Sequence, residues 1–164
     1  MKYFLITLIS YALLSSFVSP HFGTPGKVTG SYLLLKDRLI VSDSMAASGH
    51  ALTLSQELEK MKLSKKQFKP TDTIEKVQAA AVQLAKAISA THNINKQRAY
   101  FAELSTRVWV LLEKEKKPAY PLYKQVCPMT GVSWISKDSA IKNPYYPKNM
   151  LTCGKVTAVI GATN

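Results

Sequence analysis

The chain has 164 residues and carries 22 Lys and Arg against 10 Asp and Glu, a formal net charge of +12. With an N-terminal signal set aside, roughly 140 residues remain, enough for one domain with a single core and not for two. For an exported chain this basic balance excludes nucleic acid as the expected target and points instead to anionic head groups, surface polysaccharide or an acidic protein.

Export is read from the first residues. Met1 and Lys2 supply a short positive start, and Tyr3 to Val18 is an uncharged, mostly apolar run interrupted by Ser10, Ser15 and Ser16. This is the pattern of a secretory signal over residues 1–19, and the run is short for the ~20 residues of a membrane span. Cutting after Ser19 places Phe17, and cutting after Ser16 places Leu14, where a small residue is preferred, so no cleavage point is marked. No cysteine follows the run that could carry a lipid, and the mature protein is expected to be soluble, in the periplasm or secreted.

Residues 20–30, with Pro20, Pro25 and three glycines, have no apolar period and read as a flexible lead-in. A single helical domain is expected over 31–160. Tyr32, Leu35, Leu39 and Ala46 recur at helical spacing, with Lys36, Asp37, Arg38 and Asp43 on the other side and a bend expected at Gly49-His50. A second stretch places Ala51, Leu54, Leu58 and Met61 at steps of three and four, then ends in the basic turn Lys65-Lys66-Gln67-Phe68-Lys69-Pro70. Asp72 and Glu75 have the spacing of a capping box, opening a helix with the stripe Ile74, Val77, Ala81, Leu84 and Ile88. Asn93 and Asn95 mark a turn, after which Phe101, Leu104, Val108 and Leu111 define a helix to about Lys116, closed by Pro118 and Pro121.

The expected fold is therefore mainly α: an antiparallel bundle of three to four helices. From Tyr120 onward prolines, aromatics and β-branched residues replace the helical period, so a small irregular or short-β segment is expected over 120–160. No internal repeat or low-complexity tract appears.

That segment gathers both cysteines and two of the five methionines: Cys127-Pro128-Met129, then Met150-Leu151-Thr152-Cys153-Gly154. Thiolate and thioether are soft donors that select copper(I) and related ions, so Cys127, Met129, Met150 and Cys153 form one candidate metal site. In an oxidising compartment the same cysteines could instead form a disulfide, whose loop closure stabilises by roughly 3 to 4 kcal/mol in the chain-entropy model. Met129 and Met150 could equally fill gaps in the core beside Trp134. Either use of the cysteines requires Cys127 and Cys153 to lie within bonding reach, and Trp134 is expected to be buried.

The order and spacing of these residues resemble a known family. Tyr32-Leu33-Leu34-Leu35-Lys36-Asp37 with Leu39 and Asp43-Ser44, then Gln97-Arg98 with Phe101 and Leu104-Ser105, precede Cys127-Pro128-Met129, Trp134-Ile135-Ser136, Ile141, Asn143-Pro144-Tyr145-Tyr146, Met150-Leu151 and Cys153-Gly154. Together they resemble domain of unknown function 3347, a bacterial envelope domain found alone behind a signal peptide or fused to periplasmic adaptors of heavy-metal efflux systems. The resemblance implies a helical envelope domain associated with copper or other heavy-metal handling, with no known enzymatic activity and with efflux-system periplasmic components as partners. Tyr100 stands where the family is expected to place a histidine, and Pro147 where a glycine is expected.

Other chemistry is sparse. His50 and His92 fall near expected helix ends and His21 in the lead-in, without the spacing of a zinc site. Asp37 and Asp43, six residues apart on one expected helix, read as surface ion-pairing groups. There is no GxSxG elbow and no Gly-rich phosphate loop, so no enzyme is expected. Lysines concentrate at Lys60, Lys62, Lys65, Lys66 and Lys69, and at Lys114, Lys116, Lys117 and Lys124, a basic face suited to an anionic surface or to solvent. Two functions follow: an accessory protein that binds or hands over a soft metal, or a non-catalytic interaction module with a disulfide-stapled docking surface anchored by Trp134, Tyr145 and Tyr146.

Overall fold

A computed structural model describes residues 26–62, 72–114 and 118–161, with only the backbone of Asp72 and Thr73. The signal segment, the basic turn around Lys65, Lys66 and Lys69, the Asp72 side of the expected capping box, and Lys116 and Lys117 lie outside the described residues or side chains. Four helices, α1 (Lys27–Ile40), α2 (Ser44–Lys60), α3 (Asp72–Ser89) and α4 (Ile94–Lys114), precede three strands, β1 (Leu122–Val126), β2 (Ser133–Ser136) and β3 (Lys155–Ile160). Each helix packs on the next, and β2 packs on α4. Among the described residues no helix is long and apolar enough to cross a membrane.

Helix α1 begins before the expected start at Ser31. Residues 27–30, assigned to the lead-in by their glycine content, form its first turn, with the Gly30 N–H donating to the Gly26 carbonyl at 2.9 Å. Burial of Val28 in the core outweighs the low helix propensity of glycine. From there Val28, Tyr32, Leu35 and Leu39 face inward at steps of four, three and four.

The first helix ends at Ile40, not at Gly49-His50. Ser42 takes a left-handed conformation, φ 59°, and the Asp43 carboxylate accepts from the Ala46 N–H at 3.0 Å, capping α2. Ala46 therefore belongs to α2, and Asp37 and Asp43 do not share a helix. Gly49 and His50 run straight through α2, whose buried residues Ala47, Ala51, Leu54 and Leu58 include three of the four expected there.

The stripe of α3 is rotated from expectation. Ile74, Ala81, Val82, Ala85 and Ile88 are buried, whereas Val77 and Leu84 are half-buried at the margin. Gln78, half-buried like them, turns toward α2: its amide donates to the carbonyls of Leu58 at 2.6 Å and Met61 at 3.0 Å, adding to the single bond that Leu58 accepts from the Met61 N–H at the end of α2. Hydrophobicity alone selects Val77 and Leu84 over Gln78 and Ala85. Close packing against both α2 and α4 favours the smaller alanine, and the carbonyls at the end of α2 favour the amide.

Helix α4 opens on Asn93, whose side-chain oxygen accepts from the N–H groups of Asn95 and Lys96 at 3.0 and 3.1 Å. It buries Phe101, Leu104, Val108 and Leu111, as their spacing predicts, together with Trp109 and Leu112. The sheet is antiparallel in the order β2-β1-β3. Trp134 on β2 is fully buried, as expected.

Candidate functional site

The end of β1 and the beginning of β3 carry the two cysteines. Val126 pairs with Lys155 in the antiparallel ladder, so Cys127 leaves β1 beside Cys153 as the chain enters β3. After Cys127 the chain turns tightly, with the Gly131 N–H on the Cys127 carbonyl at 2.8 Å and the Cys127 N–H on the Val132 carbonyl at 3.0 Å. Gly131 closes the turn at φ 72°, a conformation that suits a residue without a Cβ.

Asn143 builds the other side. Fully buried, it accepts from the Tyr145 and Tyr146 N–H groups at 2.9 and 3.3 Å and donates its amide to the Cys153 carbonyl at 3.2 Å. Its own N–H reaches the Leu151 carbonyl at 2.7 Å. One side chain thus holds both ends of the segment from 143 to 153. Gly154 then passes so close to the indole that a Cβ there would stand 2.8 Å from Trp134 Cη2 and 2.9 Å from Ile141 Cγ2.

The outcome is a sulfur pair: Cys127 Sγ and Cys153 Sγ lie 3.6 Å apart. Both are thiols, so the disulfide expected as the alternative is not formed in this structure. Cys127 is buried and Cys153 half-buried. Burial pushes the Cys127 thiol up, but hydrogen bonds to its sulfur from the Thr130 hydroxyl, the backbone of Met129 and Thr130, and Cys153 outweigh it and hold its pKa below the ordinary value. Cys153 moves the other way, raised by sharing its proton with Cys127, by burial and by the charge on its partner. Cys127 is thus the one of the two that gives up its proton first.

The methionines are placed differently. Met129 stands at the tip of the β1–β2 turn, 75 % exposed, and so fills no gap in the core. Met150 is half-buried, and its carbonyl accepts from the Cys153 N–H at 3.0 Å. Among the described residues no group of three or more His, Cys, Asp or Glu gathers as a metal cluster. His92 is exposed and meets the Ser48 hydroxyl at 3.2 Å, the role of a residue at a helix end, while His50 is half-buried within α2.

Trp134 and Tyr145 are unsuited as docking anchors, because both are buried in the domain's own core; Tyr146 is 40 % exposed. Trp134 meets Tyr145 edge-on with ring centroids 6.1 Å apart, and Tyr145 and Tyr32 both flank Phe101. Arg98 ties this region to the helices, donating through Nε to the Pro144 carbonyl and through one terminal nitrogen to the Leu39 carbonyl and the Ser42 hydroxyl, each at 2.8 Å. Both Asn143 and Arg98 stand among the residues of the family resemblance, and the Asn-Pro dipeptide marks a turn, but neither residue type by itself tells of these bonds.

No curated protein and no solved structure matches the chain. The family described as Protein of unknown function (DUF3347) matches residues 28–118, which takes in all four helices and stops before β1 and the cysteine pair. That match spans more than half of the sequence, and the chain belongs to this family.

Proposed function

We propose that this protein is an exported, non-catalytic accessory that binds a soft metal ion, copper(I) foremost, through Cys127 and Cys153, and hands it over near an efflux system. The observation that carries the reading is the 3.6 Å separation of the two sulfurs. Two thiolates each about 2.3 Å from a shared ion lie about 3.8 Å apart in a tetrahedral arrangement, so the pair needs little movement to chelate. Met150, half-buried three residues before Cys153, and Met129, in the turn after Cys127, are the candidates for a further thioether. The net charge of +12 supports an acidic partner, approached by long-range attraction.

The same closeness supports the alternative in which the cysteines close to a disulfide and the block serves as an interaction surface. Its exposed apolar residues are Met129, Tyr146, Leu151, Val156 and Val159.

The deciding experiment is free-thiol counting on protein isolated without reductant, followed by anaerobic copper(I) titration of the reduced protein against a chromogenic chelator. The metal reading expects one ion per chain, lost in C127S and in C153S, and weakened but retained in M129L or M150L. No competition with the chelator by fully reduced protein would refute it.

A further inference from the structure

A groove of about 750 Å³ runs between α1 and the segment that follows β2, lined by residues that take no part in the cysteine site. Lys36, Lys137 and Lys142 contribute to its walls, with the carboxylates of Asp37 and Asp138. Lys36 is 5 % exposed, and its ammonium lies 3.0 Å from the Asp37 carboxylate. A buried ammonium needs such a partner, and the two charges cancel. What remains to act on a ligand is Lys137 and Lys142 against Asp138, all three exposed.

The backbone adds directed donors. The buried Gln125 amide nitrogen lies within hydrogen-bond distance of three successive carbonyls, those of Asp138, Ser139 and Ala140, at 3.0, 3.1 and 3.2 Å, its two hydrogens shared among them. Across a trans peptide the N–H points opposite to the C=O, and no described peptide is cis. Three carbonyls turned in toward Gln125 therefore turn the N–H groups of Ser139, Ala140 and Ile141 away from it. None of these three N–H groups has an acceptor among the described residues. Successive free N–H groups on a tight bend form a concave site for an anion, and here two lysines flank it.

We infer that this groove binds a small organic oxyanion. The N–H groups of Ser139 and Ala140 and the ammonium groups of Lys137 and Lys142, all on residues that line the groove, hold the phosphate or carboxylate head, and the rest of the molecule lies along the groove toward Tyr123 and Leu33. Lysine, a point charge on a flexible stem, accepts either head group, whereas a planar arginine fork would select for bidentate geometry. The groove volume suits a ligand of metabolite size.

The test is an amide-resolved NMR titration of the full chain at low salt with inorganic phosphate, glycerol 3-phosphate and citrate. Saturable shifts are expected at Ser139 and Ala140, weakened about tenfold or more in K137E/K142E and strengthened in D138N. The charge-matched control K148E/K155E, whose lysines lie outside the groove, should bind like the parent. Equal loss in both double variants, or shifts spread over the whole lysine surface, would reduce the effect to diffuse attraction and overturn the proposal. So would an absence of saturable shifts. Phosphatidylglycerol vesicles that move these amides where glycerol 3-phosphate does not would overturn it in favour of a membrane head group.

Discussion

The Tyr32 hydroxyl accepts a hydrogen bond from the backbone N–H of Ile135 at 3.1 Å, joining residues 103 positions apart. Ser105 spends its proton on the Phe101 carbonyl at 2.7 Å, so Tyr32 is the donor in the 2.6 Å bond between the two hydroxyls. One buried phenol thereby connects α1, α4 and β2, and couples the helical bundle to the sheet that carries the cysteines.

Replacing Tyr32 by Phe keeps the ring against Phe101 but strands the Ile135 N–H. The expected cost is about 1 to 3 kcal/mol, the penalty for an unsatisfied buried donor, measured by urea unfolding. Hydrogen exchange should accelerate at Ile135 more than within α2, where the bond plays no part. A neutral substitution would show that the coupling between bundle and sheet lies elsewhere.

Alkaline pH probes the same buried hydroxyls. Burial raises the pKa of Tyr32 and Tyr145 well above the ordinary 10.0, against the opposing hydrogen bond of Ser105. Below pH 10 both states keep these protons and the contribution to stability is fully present. Above it the unfolded chain releases protons that the folded chain retains, so stability falls as pH rises. A denaturation series from pH 8 to pH 11 should be flatter in Tyr32→Phe than in the parent. An identical slope would contradict the assignment.

The rotated stripe of α3 makes two leucines unequal. Leu104→Ala removes a fully buried side chain and should cost about 2 to 5 kcal/mol. Leu84→Ala, at a half-buried position, should cost less than about 2 kcal/mol. Equal losses in thermal or urea unfolding would place Leu84 in the core after all.

Two glycines give a matched pair. Gly154→Ala puts a methyl into the Trp134 indole and Ile141, with an expected cost of about 1 to 3 kcal/mol. Gly49→Ala meets nothing within 4 Å in the interior of α2 and should stabilise by up to about 1 kcal/mol. Tryptophan fluorescence should shift in the first variant and not in the second. A silent Gly154→Ala would mean that Trp134 yields readily.

What the sequence determined by itself is the local part. A helix repeats every 3.6 residues, so the inward line of Leu35, Leu39, Phe101, Leu104 and Val108 is legible from spacing, as is the turn at Asn93 that caps α4. The change to short strands after Tyr120 is likewise written in proline, aromatic and β-branched content. Tertiary structure decided the rest. Whether Ser42 or Gly49 breaks the first helical stretch, and whether Ala85 or Leu84 faces inward, depends on which neighbours each helix meets. The cysteine pair is the clearest case. Both residues are visible in the sequence, but their 3.6 Å approach comes from β3 pairing with β1 and from Asn143 holding the segment between. Contacts across 26 positions have no period to betray them and form only when the whole sheet closes.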